Sequence, residues 1–199
     1  IGRNYAAHAR EMGHDPDREA PFYFMKPADA LVTGSDSIDY PPRTADLHHE
    51  IEMVVAIGKN GANISPDSAL EHVFGYAVGI DLTRRDLQGE AKKLGRPWDT
   101  AKGFDQSAPI SPIHTVADVG HPTSGRIWLA LNDEIRQLGD LNELIWGVDE
   151  AIAELSTLYE LKQGDLLFTG TPAGVGAVDR GDRLSGGIDG IDEIAITIK

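Results

Sequence analysis

From Glu50 to Ile57 the sequence reads Glu-Ile-Glu-Met-Val-Val-Ala-Ile, a pattern that commits this stretch to a β-strand. Side chains alternate faces along an extended chain, so Ile51, Met53, Val55 and Ile57 share one face. Glu50 and Glu52 share the other face, opposite Ile51 and Met53, on a strand that runs on as Val54-Val55-Ala56-Ile57. Two carboxylates there are costly, because like charges repel and burial strips their hydration. A divalent cation would remove both problems. Asp81 follows a second apolar run, Val73 to Ile80, and stands where that strand ends. Three carboxylates suit a hard, oxygen-seeking cation: magnesium, manganese or calcium. The chain has no cysteine, which excludes thiolate-bound zinc, disulfides and a cysteine nucleophile. The competing reading of Glu-x-Glu is the solvated face of an edge strand. His48 would lie on the same face, which leaves open a site that includes histidine.

The rest of the chain reads as β-rich α+β. Ile127 to Leu131, Asp165 to Thr169 and Ile194 to Ile198 carry strand composition, and Gly58 to Gly61 and Asp179 to Asp182 read as turns. Helical patterning covers Tyr5 to Met12, stopped by Gly13, and Pro66 to His72, capped by Ser65. It recurs over Thr83 to Leu94, ended by Gly95 and Pro97, and over Leu141 to Tyr159. Strand and helix do not alternate, which disfavours a doubly wound sheet. With 199 residues and no linker or repeat, residues 1–199 are expected to form one catalytic domain. The first residue is isoleucine, so an N-terminal strand is expected to precede it.

A formal net charge of -14 repels phosphate backbones and anionic lipid, so neither nucleic acid nor membrane is an expected partner. No apolar run approaches the ~20 residues that span a bilayer, and a cytoplasmic location is expected. An acidic body handling an anionic substrate needs local cations. His8 and Glu11, three apart on a helix, form a candidate general base in which the carboxylate orients the imidazole. Arg85 and Gln88, also three apart, would point away from the cation, ready for a carboxylate or keto oxygen. Lys102 lies among small residues where a ligand can approach, and the loop Thr169 to Gly176 offers amides and the Thr171 hydroxyl to an anion. For each of these the competing account is structural: a surface ion pair, a solvated helix, a solvated lysine, a tight turn.

Taken together these segments resemble the fumarylacetoacetate hydrolase family. The likeness runs through Gly2-Arg3-Asn4-Tyr5-Ala6-Ala7-His8, Met25-Lys26-Pro27, His48-His49-Glu50-Ile51-Glu52, Gly75-Tyr76 and Asp81. It continues in Gly95-Arg96-Pro97-Trp98, Lys102-Gly103-Phe104-Asp105, Gly164-Asp165 and the whole of Thr169 to Gly176. Phe22 to Ala30 and Asp105 to Ile110 carry a closer likeness to the branch that splits fumarylpyruvate in gentisate breakdown. The resemblance implies a mixed β-sandwich roll, a homodimer, and one Mg2+ or Mn2+ on Glu50, Glu52 and Asp81, with Ca2+ as a stand-in. It implies a catalytic set of His8, Glu11 and Lys102, the first two on a lid, with Arg85, Gln88 and Thr171 touching substrate. The implied activity is hydrolysis of the C–C bond of a 2,4-dioxo acid. Its rivals are oxaloacetate decarboxylation or general acylpyruvate hydrolysis on the same site, and a non-catalytic acidic domain binding calcium or a protein partner. Arg3 and Arg96 are the candidates for a substrate's distal carboxylate.

Overall fold

The Ile51–Ile57 strand lies inside a sheet. In this computed structural model, which describes residues 1–11, 13 and 20–199, it pairs antiparallel with Val73–Ile80 on one side and Leu166–Phe168 on the other. His114–Thr115 closes that four-stranded sheet beyond Val73–Ile80. All seven residues of Ile51–Ile57 are buried. The solvated-edge account of Glu52 therefore fails, and the alternation in the sequence reflects two different cores.

One core joins Ile51, Met53, Val55 and Ile57 to Ile127, Leu129, Leu184 and Ile196. The last four belong to a five-stranded sheet ordered Glu134–Asp140, Arg126–Leu131, Arg183–Ile188, Asp192–Ile198, Ser37–Ile38. The two sheets meet closely: a Cβ added to Gly186 would fall 2.9 Å from Ile51 Cδ1. On the other face Val54 packs with Ala77 and Ile110, flanked by Leu31, Leu166 and Phe168. Each fully buried branched side chain contributes about 1.5–3 kcal/mol, so a strand buried on both faces anchors whatever it carries. The mixed character comes from two parallel pairings, Ser37–Ile38 with Asp192–Ile198 and Leu31–Val32 with Ala108–Pro109.

A three-stranded sheet, Gly176–Val178, Leu47–His49 and Thr83–Arg84, positions the candidate residues. It brings the end of the glycine-rich loop, the residues before Glu50 and the start of the Arg85–Leu94 helix side by side. Two helix expectations change here. Thr83 and Arg84 are strand, so the helix begins at Arg85; it ends at Gly95, whose φ of 63° is the left-handed cap glycine permits. The expected helix Leu141 to Tyr159 is interrupted: a 3-10 turn at Leu141–Glu143 precedes the helix proper, Val148–Leu158. Residues 144–147 are spent on the N-terminal segment, where Asn4 Oδ1 accepts the Trp146 N–H at 2.8 Å and Asn4 O accepts the Ile145 N–H at 2.8 Å. The N-terminal helix is Ala6–Glu11; Met12, which the sequence reading included, lies outside the described residues.

Candidate active site

Ile51 pairs with Ile80, so the next residues outward, Glu50 and Asp81, face each other, with the Asp81 N–H donating to Glu50 O at 2.8 Å. Glu52 sits one pleat further in. Oxygens of Glu50, Glu52 and Asp81 lie within 4.8 Å of one another, and all three side chains are buried.

Lys102, from the short helix Asp99–Lys102, inserts its Nζ between two of them, 2.8 Å from Glu50 Oε2 and 2.7 Å from Asp81 Oδ2. It also donates to Thr83 Oγ1 at 2.6 Å and is 1 % exposed, so it is no solvated loop lysine. Arg85 Nη2 reaches Glu50 Oε1 at 2.5 Å, and Lys26 Nζ lies 2.8 Å from Asp81 Oδ1. Two earlier expectations need correction. Glu50 and Asp81 are already compensated by protein cations, so a metal is not the sole remedy for their charge. Arg85 turns toward the carboxylates rather than away, while its Nη1 donates to Gln88 Oε1 at 2.7 Å.

These contacts divide the carboxylates electrostatically. Burial alone would raise the Glu50 carboxyl, but Lys102 and Arg85 outweigh it and hold the group well below the usual range. Burial opposes the Lys102 charge, and Asp81 and Glu50 override it, keeping the ammonium protonated. Among the described residues Glu52 has no such side-chain partner: its Oε2 accepts the Gly170 N–H at 2.6 Å. Burial, reinforced by the negative charges of Asp81 and Glu50, pushes it up to about 8. For Lys26, burial lowers the ammonium's pKa more than Asp81 restores it. An all-oxygen, buried triad with one uncompensated carboxylate, and an Asp81 Oδ1 without a well-formed hydrogen bond, fits a small hard divalent cation. His48 stands outside this group. Its Nε2 meets Asp46 Oδ1 at 2.8 Å and its Nδ1 accepts from Arg85 Nε at 3.3 Å, so it braces the arginine.

His8 and Glu11 are not a solvated surface pair. His8 is buried, and its Nδ1 lies 3.1 Å from Glu11 Oε2. Glu11 in turn accepts the Gly174 N–H. His8 lines a cavity of about 30 Å³ with Glu50, Arg85, Gln88, Lys102 and Thr171. That is room for about one water, so a larger ligand needs the lining side chains to give way. A larger cleft, about 520 Å³, opens behind Lys26 and Asp81 but is lined mainly by apolar side chains such as Tyr23, Leu166 and Phe168. It holds neither the imidazole nor Lys102, and the chemistry belongs with the smaller cavity.

Thr171 is buried and its Oγ1 accepts from Gln137 Nε2 at 2.7 Å. Arg3 lines the cavity, whereas Arg96 is exposed and pairs loosely with Glu90, so Arg96 is withdrawn as a distal-carboxylate candidate. Lys92 replaces it: it lines the cavity beside Trp98, its Nζ 5.0 Å from the ring centroid. Sequence reasoning passed over Lys92 among the many charges of its helix. It also gave no role to Lys26, although Met25-Lys26-Pro27 is a compact signal, and none to Gln137.

The described residues contain no helix long and apolar enough to cross a membrane. The model of the fumarylacetoacetate hydrolase C-terminal family matches residues 1–199. Fumarylpyruvate hydrolase of a Ralstonia species is 46% identical over 189 residues, covering 94% of this chain and 98% of that protein. The mitochondrial oxaloacetate decarboxylase of Dictyostelium discoideum is 39% identical over 193 residues, 96% of this chain and 88% of the relative. The crystal structure of fumarylpyruvate hydrolase from Pseudomonas aeruginosa in complex with Mn2+ and pyruvate superposes with a TM-score of 0.96 at 54% identity, covering 98% of this chain and 86% of that one. A match along the entire chain, together with relatives of 39% to 54% identity, shows that this chain belongs to the fumarylacetoacetate hydrolase family.

Proposed function

We propose that this chain is a metal-dependent hydrolase that cleaves the C3–C4 bond of fumarylpyruvate, giving fumarate and pyruvate. The observation that carries the reading is the seating of His8, held by Glu11, in one cavity with Glu50, Lys102 and Thr171. Glu50, Glu52 and Asp81 would hold Mg2+ or Mn2+. When bound, the cation supplies Lewis acidity toward the 2-keto oxygen and positive charge for the departing enolate.

The chain's own residues do the rest. His8 Nδ1 faces Glu11, which leaves Nε2 to take a proton from water as that water attacks C4. Glu11 orients the ring and stabilises the imidazolium. As the tetrahedral adduct collapses, C3–C4 breaks, fumarate forms, and pyruvate leaves as its enolate. The Lys102 ammonium, kept charged by Glu50 and Asp81, stabilises that charge. Arg85 and Gln88 orient the 2-oxo acid end, and the Thr171 hydroxyl donates to it. Protonation of the enolate at C3, with the proton that His8 took up, completes the balance of substrate plus water to two acids.

The test is direct. Loss of enol absorbance is followed for fumarylpyruvate and acetylpyruvate, and carbon dioxide release for oxaloacetate, with Mg2+, Mn2+ or EDTA. Activity untouched by EDTA, or full activity in Glu50→Ala, defeats the metal reading. Oxaloacetate as the best substrate transfers the site to decarboxylation, a reading favoured by the Dictyostelium relative, since loss of carbon dioxide from oxaloacetate leaves the same enolate. Calcium binding without turnover, and no effect of His8→Ala, marks a non-catalytic domain. A cytoplasmic homodimer working in gentisate degradation completes the proposal. Ile135 and Leu138, exposed on the Glu134–Asp140 strand at a sheet edge, offer a second copy an apolar face; sedimentation velocity tests the dimer.

A further inference from the structure

Gln137 is the one buried residue in the first five of the Glu134–Asp140 strand, and a bulge puts it there. Ile135 pairs with Ala130 but Gln137 with Leu129, so Arg136 is the extra residue. A bulge re-aims the residue beside it, and Gln137 turns inward to 0 % exposure. The glycine-rich loop sits directly on this bulge: a Cβ on Gly174 would fall 2.0 Å from Arg136 O, and one on Gly139 2.9 Å from Pro172 Cβ.

Every hydrogen-bonding position of the Gln137 amide is used. Its Oε1 accepts from His49 Nδ1 at 2.9 Å and from the Ile51 N–H at 3.1 Å. Its Nε2 donates to Thr171 Oγ1 at 2.7 Å and to Pro172 O at 2.8 Å. The network fixes which end is which: exchanging oxygen and nitrogen would set two N–H groups against each other at Ile51 and two carbonyls at Pro172. A threonine hydroxyl carries one hydrogen. Because Gln137 donates into Thr171 Oγ1, that hydrogen is directed elsewhere, and Thr171 lines the cavity with His8 and Lys102.

We infer that Gln137 is a positioning residue for catalysis: it makes Thr171 an obligate hydrogen-bond donor to an anionic oxygen of the 2-oxo acid. The inference deepens the proposed function and rests on it. Gln137 touches no substrate itself. It also ties the Thr171 loop to the backbone between Glu50 and Glu52, so ligand donor and carboxylate strand share one reference point.

The decisive variant is Gln137→Glu, which keeps Oε1 for His49 and Ile51 and changes only the atom facing Thr171 and Pro172. Buried beside the Pro172 carbonyl, the introduced carboxyl keeps one hydrogen for Pro172 O, so that oxygen can only accept from Thr171 and draws its proton from the substrate. With Mn2+ and fumarylpyruvate, KM rises by about tenfold, the worth of one hydrogen bond to a charged oxygen. Half-saturation by Mn2+ is unchanged. Thr171→Val has a similar effect, and the double variant is no worse than Thr171→Val alone. Multiplying effects, or an unchanged KM in Gln137→Glu beside a raised one in Thr171→Val, overturn the inference. If Gln137→Glu does not fold, Gln137→Met carries the same cycle. If the parent does not turn over fumarylpyruvate, the substrate reading has failed separately. Pyruvate affinity of the Mn2+-loaded parent and variants, by calorimetry, then decides the role of Gln137 by the same non-additivity.

Discussion

The Glu11 carboxylate accepts the Gly174 N–H through both oxygens, at 3.1 and 3.2 Å. The helix that carries His8 is thereby fastened to the loop that also carries Thr171. Glu11 thus has two tasks, orienting His8 and latching its helix. Glu11→Gln keeps the shape but offers Gly174 one carbonyl oxygen and His8 a neutral partner. We expect His8→Ala to lower kcat by about 10²–10⁴-fold, the range of a general base. Glu11→Gln should lower kcat less and raise KM as well, because the latch weakens. Equal kcat in both variants and parent, measured under saturating Mn2+, would remove the dyad from the mechanism.

Glu52 makes metal binding a proton-linked event. Its ordinary value of 4.5 is raised in the fold to about 8, chiefly by burial. A carboxyl raised on folding favours the folded state fully below its unfolded pKa and loses that contribution as pH climbs through the folded one. Metal-free protein should therefore lose stability between about pH 4.5 and pH 8 from this group. A cation reverses the trend by compensating the charge, so the rise in Tm on adding Mn2+ should grow across the same window. Binding below pH 8 should expel about one proton. Calorimetry in two buffers of different ionisation enthalpy measures it, and Glu52→Gln should abolish the release. A Mn2+-induced Tm gain that is flat with pH would contradict the assignment.

In the proposed mechanism Lys102 carries two separable roles. In the metal-free protein it compensates Glu50 and Asp81, both buried. Removing one partner of a buried ion pair costs about 3–5 kcal/mol, since the other charge is left alone. Lys102→Met should thus lower Tm strongly in EDTA, and Mn2+ should restore much of the loss by taking over that charge. Activity should not return with stability, because the ammonium that meets the enolate is gone. Recovery of both together would reduce Lys102 to a structural counter-ion.

The strand order explains what could be read in advance. Ile51 to Ile57 and Val73 to Ile80 were legible because a continuous apolar run admits little else, and each matches its strand closely. The carboxylates were visible through the same run, as charges out of place in it. What the sequence hid depends on contacts between distant segments. The break at residues 144–147 follows from Asn4, more than a hundred positions away. Lys26 and Lys102 reach Asp81 from separate segments, so no spacing rule connects them. Gln137 is hidden twice over, since a one-residue bulge reverses the face it would occupy by alternation. Those relationships exist only once the sheets have paired.

Arg3 and Lys92 line the same cavity as Glu50, together with Trp98 and Phe22. Burial lowers the Lys92 pKa, with Arg85 and Arg3 adding to the effect. An ammonium in that position gains most from an incoming anion, and fumarylpyruvate ends in a carboxyvinyl group where acetylpyruvate has a methyl, so only the former brings a distal carboxylate. Arg3 Cζ rests 5.2 Å from the centre of the Phe22 ring, which holds the guanidinium in place without consuming its donors. Lys92→Ala and Arg3→Ala should each raise KM for fumarylpyruvate by about tenfold or more, the worth of a hydrogen bond to a charged group. KM for acetylpyruvate should stay within about twofold, because a methyl group asks nothing of either cation. Equal losses on both substrates would place Arg3 and Lys92 in closing the cavity rather than in reading the distal end.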